Sequence, residues 1–284
     1  MEYVLSLSYG KDSLACLGAI DQLGLPLDRI VHAEVWATDT IPADLPPMVE
    51  FKKKADAIIK ERWGIEVEHK KTKTYDRFFY KVIGDRAKKM REDRMRNLER
   101  MGKCYTNDNF IYGFPLTRGA WCNSKLKVST LESAYSKDSI VYIGIACDEP
   151  NRMHRLTEKK LSPLVEAGWT EAMCRDWCEK NDLLSPIYTT AARGGCWFCH
   201  NQSIEQLRIL RKNYPEYWAL LLKWDNDSPM TFKPDGHTVH DFDRRFEFED
   251  KGFIDPTKPF KWAMLDSDLQ LDMFLMEGKY YDHC

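Results

Sequence analysis

The sequence predicts an α/β protein with a doubly wound, mostly parallel sheet and a helical C-terminal cap. Three observations support this prediction. Short apolar runs in residues 1 to 146 alternate with segments of helical periodicity, which is the pattern of parallel strands joined by crossover helices. A glycine-containing loop separates the first apolar run from the first helical segment. From about residue 203 onward the pattern is helical.

The first strand is predicted at Tyr3 to Leu7, a short apolar run that ends in Ser-Tyr-Gly. A helix follows, because Leu14, Leu17 and Ile20 recur at helical spacing. Gly24 is the predicted end of this helix, since glycine is common just after a helix. The predicted order is strand, tight loop, helix.

Three more strands are predicted further along the chain. The second covers residues 30 to 37, and a proline-rich loop leads from it into a helix from about Met48 to Trp63. The third is predicted at Glu66 to Glu68 and the fourth at Ser139 to Ala146. Strands separated by helices in this way favour a parallel sheet that is covered on both faces.

The composition is that of a globular protein, with 43% hydrophobic residues and a formal net charge of -2. Any basic surface for a nucleic acid must therefore be local. The N-terminal segment lacks the features of a signal peptide, and no run approaches the roughly 18 apolar residues that span a bilayer. We expect a cytoplasmic protein without a membrane partner, whose nine cysteines stay reduced and serve metal or redox sites rather than disulfides.

Two domains are predicted from these patterns. Residues 1 to 202 are expected to form the nucleotide-binding α/β domain with a cysteine site, and residues 203 to 284 a helical C-terminal extension. A charged stretch from Arg86 to Lys103 contains many basic residues but also three acids. Such a stretch is usually a solvated helix face, and contact with nucleic acid is the alternative.

The loop Ser8-Tyr9-Gly10-Lys11-Asp12-Ser13 is the strongest candidate for a ligand site. Backbone N–H groups in a loop that opens a helix can bind phosphate. Gly10 permits close approach of the backbone, Lys11 supplies positive charge and Asp12 caps the helix. The spacing is not the Walker pattern, because the required earlier glycine is missing. The alternative is an ordinary strand-to-helix turn, but the position directly after the first strand favours a phosphate site.

Further motifs follow the loop in a fixed order. They are Asp39-Thr40, Arg118-Gly-Ala-Trp-Cys122 with Leu126-Lys127, Gly144-Ile145 with Asp148-Glu149 and Arg152, Pro163-Leu164 with Glu166 and Trp169-Thr170-Glu171, Pro186-Ile-Tyr188, and Gly195-Cys196-Trp-Phe-Cys199. With the loop, they resemble the PP-loop ATP pyrophosphatases, in the phosphoadenosine phosphosulfate (PAPS) reductase family with its DNA-phosphorothioation members. The resemblance covers about residues 1 to 202 and implies an adenine nucleotide alpha hydrolase-like fold.

This resemblance implies a chemistry. The loop would hold the phosphates of ATP with Mg²⁺, and cleavage between the α- and β-phosphates would give an adenylated substrate and pyrophosphate for sulfur transfer. Such catalysis is mainly positioning and charge stabilisation. The implied catalytic residues are Lys11, Asp12, Lys127 and Arg152. The implied nucleotide-binding residues are Ser8, Tyr9, Gly10, Lys11, Asp12, Ser13, Asp39, Arg118 and Gly144.

Cys196 and Cys199 form a CxxC motif, a spacing that serves zinc, iron–sulfur or dithiol redox chemistry. The resemblance adds Cys122 and implies that the three cysteines hold a [4Fe–4S] cluster by three irons, as in related tRNA thiolation enzymes. Cluster-bearing reductases have a Cys-Cys pair where this chain has Trp121-Cys122, so one expected ligand is missing. Zinc on the same thiolates is the rival hypothesis.

The source of a fourth ligand stays open among Cys147, Cys174 and Cys178. The last two stand four residues apart in a helical segment, and we interpret them as small apolar core residues. We interpret Cys104 and Cys147 as structural. The C-terminal Cys284 lacks the Glu-Cys-Gly-x-His motif around the reductase nucleophile, and we interpret it as a thiol of a frayed tail.

Other functions stay open beside adenylation. A sulfonucleotide reductase would bind PAPS and consume a thiol reductant without cleaving ATP. A binding module would take up a nucleotide or nucleic acid without catalysis, and an interaction protein would bind no nucleotide. RNA or DNA as substrate and a sulfur-donor protein are the candidate macromolecular partners of the enzyme.

Overall fold

The structure is a computed structural model that describes residues 1–71, 73–84, 92, 96, 111–115, 120–189 and 195–265. Five strands form one sheet in the order β3-β2-β1-β4-β5, and each neighbouring pair is parallel. The predicted parallel α/β class is confirmed. The strands are β1 (Tyr3–Ser6), β2 (Arg29–Glu34), β3 (Val67–Lys71), β4 (Ile140–Tyr142) and β5 (Lys160–Leu161).

Strand β1 lies at the centre of the sheet, between β2 and β4. Leu5 is in register with Ile30 on one side and with Tyr142 on the other. The strand order therefore reverses at β1. In open parallel sheets, ligands bind outside the carboxyl ends of the strands at such a reversal. The loop that follows β1 occupies this position.

The helices lie close to their predicted positions, but the prediction that Asp12 caps the first helix is wrong, because Gly10 is the N-cap residue and no side chain makes a cap hydrogen bond there. The first ends at Gly24, which has φ 61°, a conformation that glycine adopts without steric cost. The second begins at Pro46 rather than Met48, because proline suits the first helical turn. The α-helices are α1 (Lys11–Leu23), α2 (Pro46–Trp63), α3 (Tyr75–Phe79), α4 (Ser129–Ala134), α5 (Pro163–Glu166), α6 (Glu171–Lys180), α7 (Ile204–Asn213), α8 (Pro215–Asp227) and α9 (Val239–Asp250).

A first hydrophobic core packs α1, α2 and α6 on the sheet. It contains Leu5, Leu14 and Ile59 among its buried residues. Helices α1 and α6 approach closely at Gly18, where a Cβ atom would lie 2.4 Å from the indole ring of Trp177. Only glycine allows this contact, which fixes α6 beside α1, the helix that follows the loop after β1.

A second core is rich in aromatic rings and joins the CxxC segment to the C-terminal helices. The rings of Trp197 and Trp224 are stacked, with centroids 5.7 Å apart. Phe198 and Phe246 are buried in the same core. The predicted helical cap is therefore confirmed, and its packing crosses residue 202, so the cap supports the two cysteines of the motif.

Three differences from the predicted strands have local causes. Strand β4 ends at Tyr142 because the chain turns at Gly144, where a Cβ atom would lie 2.6 Å from the backbone nitrogen of Ser13. Strand β3 continues beyond Glu68 to Lys71, paired with β2. Strand β5 has only two residues, both exposed, so it carries no apolar pattern that a sequence could reveal.

A membrane span requires a helix that is both long and apolar. No helix among the described residues meets both requirements. The basic stretch from Arg86 to Lys103 lies outside the described residues, apart from positions 92 and 96.

Candidate functional site

A cavity of about 820 Å³ lies at the carboxyl ends of β1 and β2. Its volume is within the range of small-molecule and cofactor sites, roughly 300–1,000 Å³. The walls combine the loop after β1 with segments that are distant in the sequence. The lining residues of interest include Ser8, Tyr9, Gly10, Lys11, Asp12, Lys52, Lys127, Glu149, Arg152, Glu171, Tyr188 and Cys196.

The loop is shaped from beneath by the buried side chain of Ser13. Its Oγ accepts a hydrogen bond from the N–H of Ser8 at 3.1 Å and lies 2.9 Å from Ser8 Oγ. The same hydroxyl lies 3.0 Å from the carbonyl of Gly10. Ser13 therefore holds the loop in shape, while Ser8 and Gly10 face the cavity.

Tyr9 has a left-handed backbone conformation, with φ 56°, which is uncommon for a residue with a side chain. Such a conformation costs of the order of 1 kcal/mol. The ring is 1% exposed, and its hydroxyl bonds to Asp56 of α2 and lies 3.1 Å from Nε2 of His69 in β3. Burial, and then the hydrogen bond to Asp56, raise the pKa of Tyr9. These contacts anchor the strained loop to the sheet.

The amino end of α1 presents backbone donors to the cavity. The first N–H groups of a helix lack intrahelical acceptors, and this end carries a partial positive charge. Gly10 is extended, with φ -78° and ψ 155°, and a Cβ atom there would lie 3.4 Å from the hydroxyl of Tyr188. The N–H of Lys11 donates to that hydroxyl at 2.9 Å. The hydroxyl of Tyr188, which accepts from Lys11 and lines the cavity, keeps its own proton to donate to an anion at the loop.

The ammonium of Lys11 lies between two carboxylates, 2.6 Å from Oδ1 of Asp12 and 2.7 Å from Oε1 of Glu171. Burial disfavours its charge, but the hydrogen bonds to both carboxylates outweigh burial and raise the pKa of Lys11. Burial also raises the pKa of Asp12, although the bond from Lys11 acts against this. Carboxylate oxygens of Asp12, Glu149 and Glu171 lie within 4.8 Å of one another. Oxygen ligands of this type suit Mg²⁺.

Arg152 is oriented by Glu149. Its Nη1 lies 2.7 Å from both carboxylate oxygens of Glu149, and its Nη2 donates to the carbonyl of Gly144 at 3.3 Å. Arg152 and Glu149 line the cavity. Gly144 lies behind the loop against Ser13, so it supports the loop rather than lining the cavity.

Lys127 reaches the cavity from a π-helical turn, Asn123–Val128, which directly follows Cys122. Such turns are rare and often occur at functional sites. Its side chain is exposed on the cavity wall. Proximity to Cys196, which would be negatively charged when ionised, is the main cause that raises the pKa of Lys127, and desolvation acts against it. Lys127 therefore lies on the same side of the cavity as Cys196.

Cys196 lines the cavity, and the N–H of Trp197 donates to the carbonyl of Ala43 at 2.9 Å. This bond fixes the CxxC segment beside the loop that follows β2. Burial raises the pKa of Cys196 to about 12, while Lys127 acts in the opposite direction. Burial also raises the pKa of Cys122, and Lys127 again opposes it. Both thiols need a cation or a metal to become thiolates at neutral pH.

The described cysteines do not form a preformed site for one ion, because no three of their sulfurs lie within 4.8 Å of one another. One zinc ion with bonds of about 2.3 Å would hold its sulfurs about 3.8 Å apart. A four-iron cluster separates its ligands further. The hydroxyl of Tyr75, whose ionisable neighbours are Cys122, Cys199 and Cys196, is buried and has no hydrogen-bond partner among the residues that the structure describes. An acceptor bound at the thiols fits this environment.

A polar network on another wall of the cavity was missed by sequence reasoning. Lys52 Nζ lies 2.5 Å from Oδ2 of Asp44 and 2.8 Å from Nε2 of His32. Nδ1 of His32 lies 2.8 Å from the carbonyl of Leu7, so this nitrogen carries the proton and Nε2 accepts from Lys52. Burial, and then the charge of Lys52, lower the pKa of His32 well below its usual range. His32, a histidine within the apolar run of β2, was the feature of the sequence that could have indicated this network.

Of the predicted nucleotide-binding residues, Ser13 and Gly144 support the loop without lining the cavity, and Asp39 and Arg118 are not placed at it either. Asp39 does not line it; its carboxylate is exposed and lies 2.8 Å from Nη2 of Arg77. Tertiary folding turns the end of this loop away, because the chain returns towards β2 through the hydrogen bond from Ala37 N–H to the carbonyl of Ile41. Arg118 lies outside the described residues.

Cys174 and Cys178 are fully buried in the first core, which confirms their interpretation as core residues. The thiol of Cys178 donates to the carbonyl of Lys11 at 3.2 Å. Cys122 and Cys196 pack instead against the second core, so the two pairs belong to different environments. Cys284 lies outside the described residues.

A comparison with protein-family models and with curated proteins finds no match to this chain. The geometry of the cavity is therefore the basis for assigning a function.

Proposed function

We propose that this protein is a PP-loop ATP pyrophosphatase of the PAPS reductase family, which adenylates a substrate for sulfur transfer. One observation gives this proposal its main support. A single cavity is lined by the loop after β1 with Lys11, by Glu149 and Glu171, and by Cys196 of the CxxC motif, while Cys122 and Cys199 are not among its lining residues. Nucleotide activation and sulfur handling therefore have groups available in the same space.

The amino end of α1 and Lys11 are proposed to bind the phosphate chain of ATP. Asp12, Glu149 and Glu171 are proposed to hold Mg²⁺, whose chemistry when bound is to neutralise phosphate charge. The cation and Lys11 would compete for the same two carboxylates, since both bonds of Lys11 go to members of this group. Binding of Mg²⁺ would therefore release the ammonium towards the phosphates.

In the proposed reaction, an oxygen of the acceptor forms a bond to the α-phosphorus. The bond to the bridging oxygen breaks, and pyrophosphate leaves with the electron pair. Arg152 and Lys127 line the cavity and are proposed to stabilise the negative charge of this transition state. Glu149 keeps Arg152 oriented, which reduces the cost of ordering that side chain on binding.

The second part of the proposal is a [4Fe–4S] cluster on Cys122, Cys196 and Cys199, with zinc as the rival. When bound, such a cluster with three protein ligands would supply an iron position for a sulfur atom. Lys127 would stabilise the thiolates of the bound form. The three cysteines are half-buried, and Cys122 and Cys196 lie against the aromatic core around Trp197. We place the protein in the cytoplasm, where thiols stay reduced. RNA or DNA is the proposed acceptor class, with a sulfur-donor protein as partner.

The proposal is tested with protein purified anaerobically and incubated with Mg²⁺ and ATP labelled at the α-phosphate. Transfer RNA, duplex DNA and single-stranded DNA serve in turn as acceptors. Pyrophosphate and labelled AMP bonded to the acceptor are expected with one of them, and free AMP is expected once sulfide is added as the sulfur donor that displaces it. Lys11→Ala should reduce this turnover about 10²- to 10³-fold, while Lys54→Ala, an exposed lysine of α2, should leave it unchanged. Absence of AMP and pyrophosphate with every acceptor contradicts the proposal.

A sulfonucleotide reductase is the second candidate, because a cysteine, Cys196, is among the residues that line the cavity. Such an enzyme would release sulfite from PAPS at the expense of a thiol reductant. Incubation with sulfur-labelled PAPS and reduced thioredoxin separates the two. Sulfite release without ATP cleavage would replace the adenylation proposal by this one.

A further inference from the structure

Tyr75 lies between the two segments that carry the cysteines. Its ring centroid is 5.0 Å from that of Trp121, the residue before Cys122, and 4.2 Å from that of Phe198, inside the CxxC motif. Trp224 of α8 packs on the same ring at 5.0 Å. The side chain is 1% exposed. Tyr75 is therefore held rigidly by contacts from both cysteine segments and from the helical cap.

Packing explains the ring of Tyr75 but not its hydroxyl. Phenylalanine would keep every ring contact, yet the chain has a buried oxygen that makes no hydrogen bond within the described residues. An unpaired buried hydroxyl loses its hydrogen bonds to water without replacement, which is unfavourable. Native proteins rarely leave such a group unsatisfied unless a ligand, an ion or a water completes it.

The surroundings of this hydroxyl indicate what could complete it. Burial is the main cause that raises the pKa of Tyr75, followed by the charges of Cys122, Cys199 and Cys196. A phenol is protonated at neutral pH, so this hydroxyl can donate a hydrogen bond. The three thiols that act on it are those proposed as ligands of a metal group.

We propose that Tyr75 is a positioning residue whose hydroxyl donates a hydrogen bond to the metal–sulfur group held by Cys122, Cys196 and Cys199. This inference rests on the proposed function only in requiring that the thiols bind a metal; it does not depend on ATP cleavage. Hydrogen bonds to the sulfurs of a cluster help to set its reduction potential. A donor stabilises the more negative, reduced form, so Tyr75 should raise the potential.

The direct test is Tyr75→Phe, prepared anaerobically beside Tyr142→Phe. Tyr142 is a suitable control because it is also buried, but the charges that act on it are those of Tyr3, Glu166 and Asp28. Both variants should keep the iron and sulfide content of the wild type. The midpoint potential of Tyr75→Phe should be lower than that of the wild type. For a one-electron couple, a tenfold change in the equilibrium constant corresponds to about 59 mV. Tyr142→Phe should leave the potential unchanged.

Thermal unfolding supplies a readout that is independent of redox chemistry. In protein stripped of metal by a chelator, Tyr75→Phe should melt at or above the wild-type temperature, because it removes an unpaired hydroxyl. In the loaded protein it should melt below the wild type, because the hydrogen bond is lost. If Tyr75→Phe fails to fold, a D₂O-dependent shift of the metal–sulfur stretching bands in the wild type tests the same hydrogen bond.

The outcomes separate this inference from the proposed function. Wild-type protein that releases AMP but binds neither iron nor zinc overturns the role of Tyr75 and leaves adenylation standing. A bound metal with an unchanged potential and unchanged loaded stability in Tyr75→Phe overturns the inference alone, and indicates that a water completes the hydroxyl. If the wild type shows no adenylation but Tyr75→Phe still shifts the midpoint potential, only the proposed ATP chemistry is overturned.

Discussion

The ammonium of Lys11 lies 2.7 Å from the carboxylate of Glu171, although 160 residues separate them in the chain. Glu171 opens α6, and α6 is held against α1 by the close contact of Trp177 with Gly18. The side chain of Glu171 is half exposed, so this ion pair contributes little to folding, about 0–1 kcal/mol. Its position at the phosphate-type loop gives it more significance for ligand binding than for stability.

Glu171→Gln should weaken the use of Mg²⁺ in nucleotide turnover. The change removes one of three carboxylates that lie within 4.8 Å of one another, so the Mg²⁺ concentration for half-maximal AMP release should rise several-fold. Glu179→Gln in the same helix is the control, because its partner is Arg175 at the surface. An unchanged Mg²⁺ titration in Glu171→Gln would show that the metal binds elsewhere.

Two glycines of the site should respond differently to alanine. At Gly10 the added Cβ atom meets its nearest neighbour at 3.4 Å, an ordinary contact, so folding should be unaffected while nucleotide affinity falls. At Gly144 the Cβ atom would lie 2.6 Å from the backbone of Ser13. Such overpacking costs about 1–3 kcal/mol. Urea denaturation and nucleotide titration of both variants measure the two effects, and equal stability losses would contradict the structure.

The pair His240–Asp225 should make stability depend on pH. Nδ1 of His240 lies 2.6 Å from Oδ2 of Asp225, and this hydrogen bond, opposed by desolvation, raises the pKa of His240 above 6.5. A raised pKa in the folded state means that the stabilisation is fully present below about pH 6.5 and is lost as pH rises through the folded pKa.

The control for this effect is His240→Gln, which cannot become charged. The difference in free energy of unfolding between wild type and variant should be larger at pH 5.5 than at pH 8.5. Denaturant titrations at the two pH values measure it. A difference that grows towards alkaline pH would show that the imidazolium is not the stabilising form.

The cysteines of the two cores should differ in metal binding. Cys196→Ser should abolish or strongly reduce the iron or zinc of anaerobically purified protein, because Cys196 lines the cavity near Lys127. Cys178→Ser changes a buried thiol of the first core and should retain the metal. Metal analysis with visible absorption distinguishes iron from zinc. Equal metal loss in both variants would contradict the assignment of the site to Cys196.

The local pattern of the sequence is sufficient for much of the fold. The apolar run before the loop, the helical spacing of Leu14 and Leu17, and the stop at Gly24 predict β1 and α1 almost to the residue. Short-range periodicity determines these elements because each buries one continuous apolar face. The parallel sheet follows, since alternating strands and helices have few other ways to bury both faces.

The composition of the site was decided by tertiary structure. Sequence reasoning assigned backbone freedom to Gly10, whereas the left-handed residue is Tyr9, because a buried ring bonded to Asp56 compensates for the strain. Asp39 was predicted at the site, but its loop folds back and pairs it with Arg77.

The remaining cavity residues come from segments that meet only after the chain has folded. Lys52 and His32 contact each other between α2 and β2, and Tyr75 wedges between the two cysteine segments. The periodicity of the sequence does not predict these contacts, because they depend on the angles at which helices pack on the sheet. The sequence by itself determined the elements and the phosphate-type loop; long-range packing decided which side chains share the cavity with it.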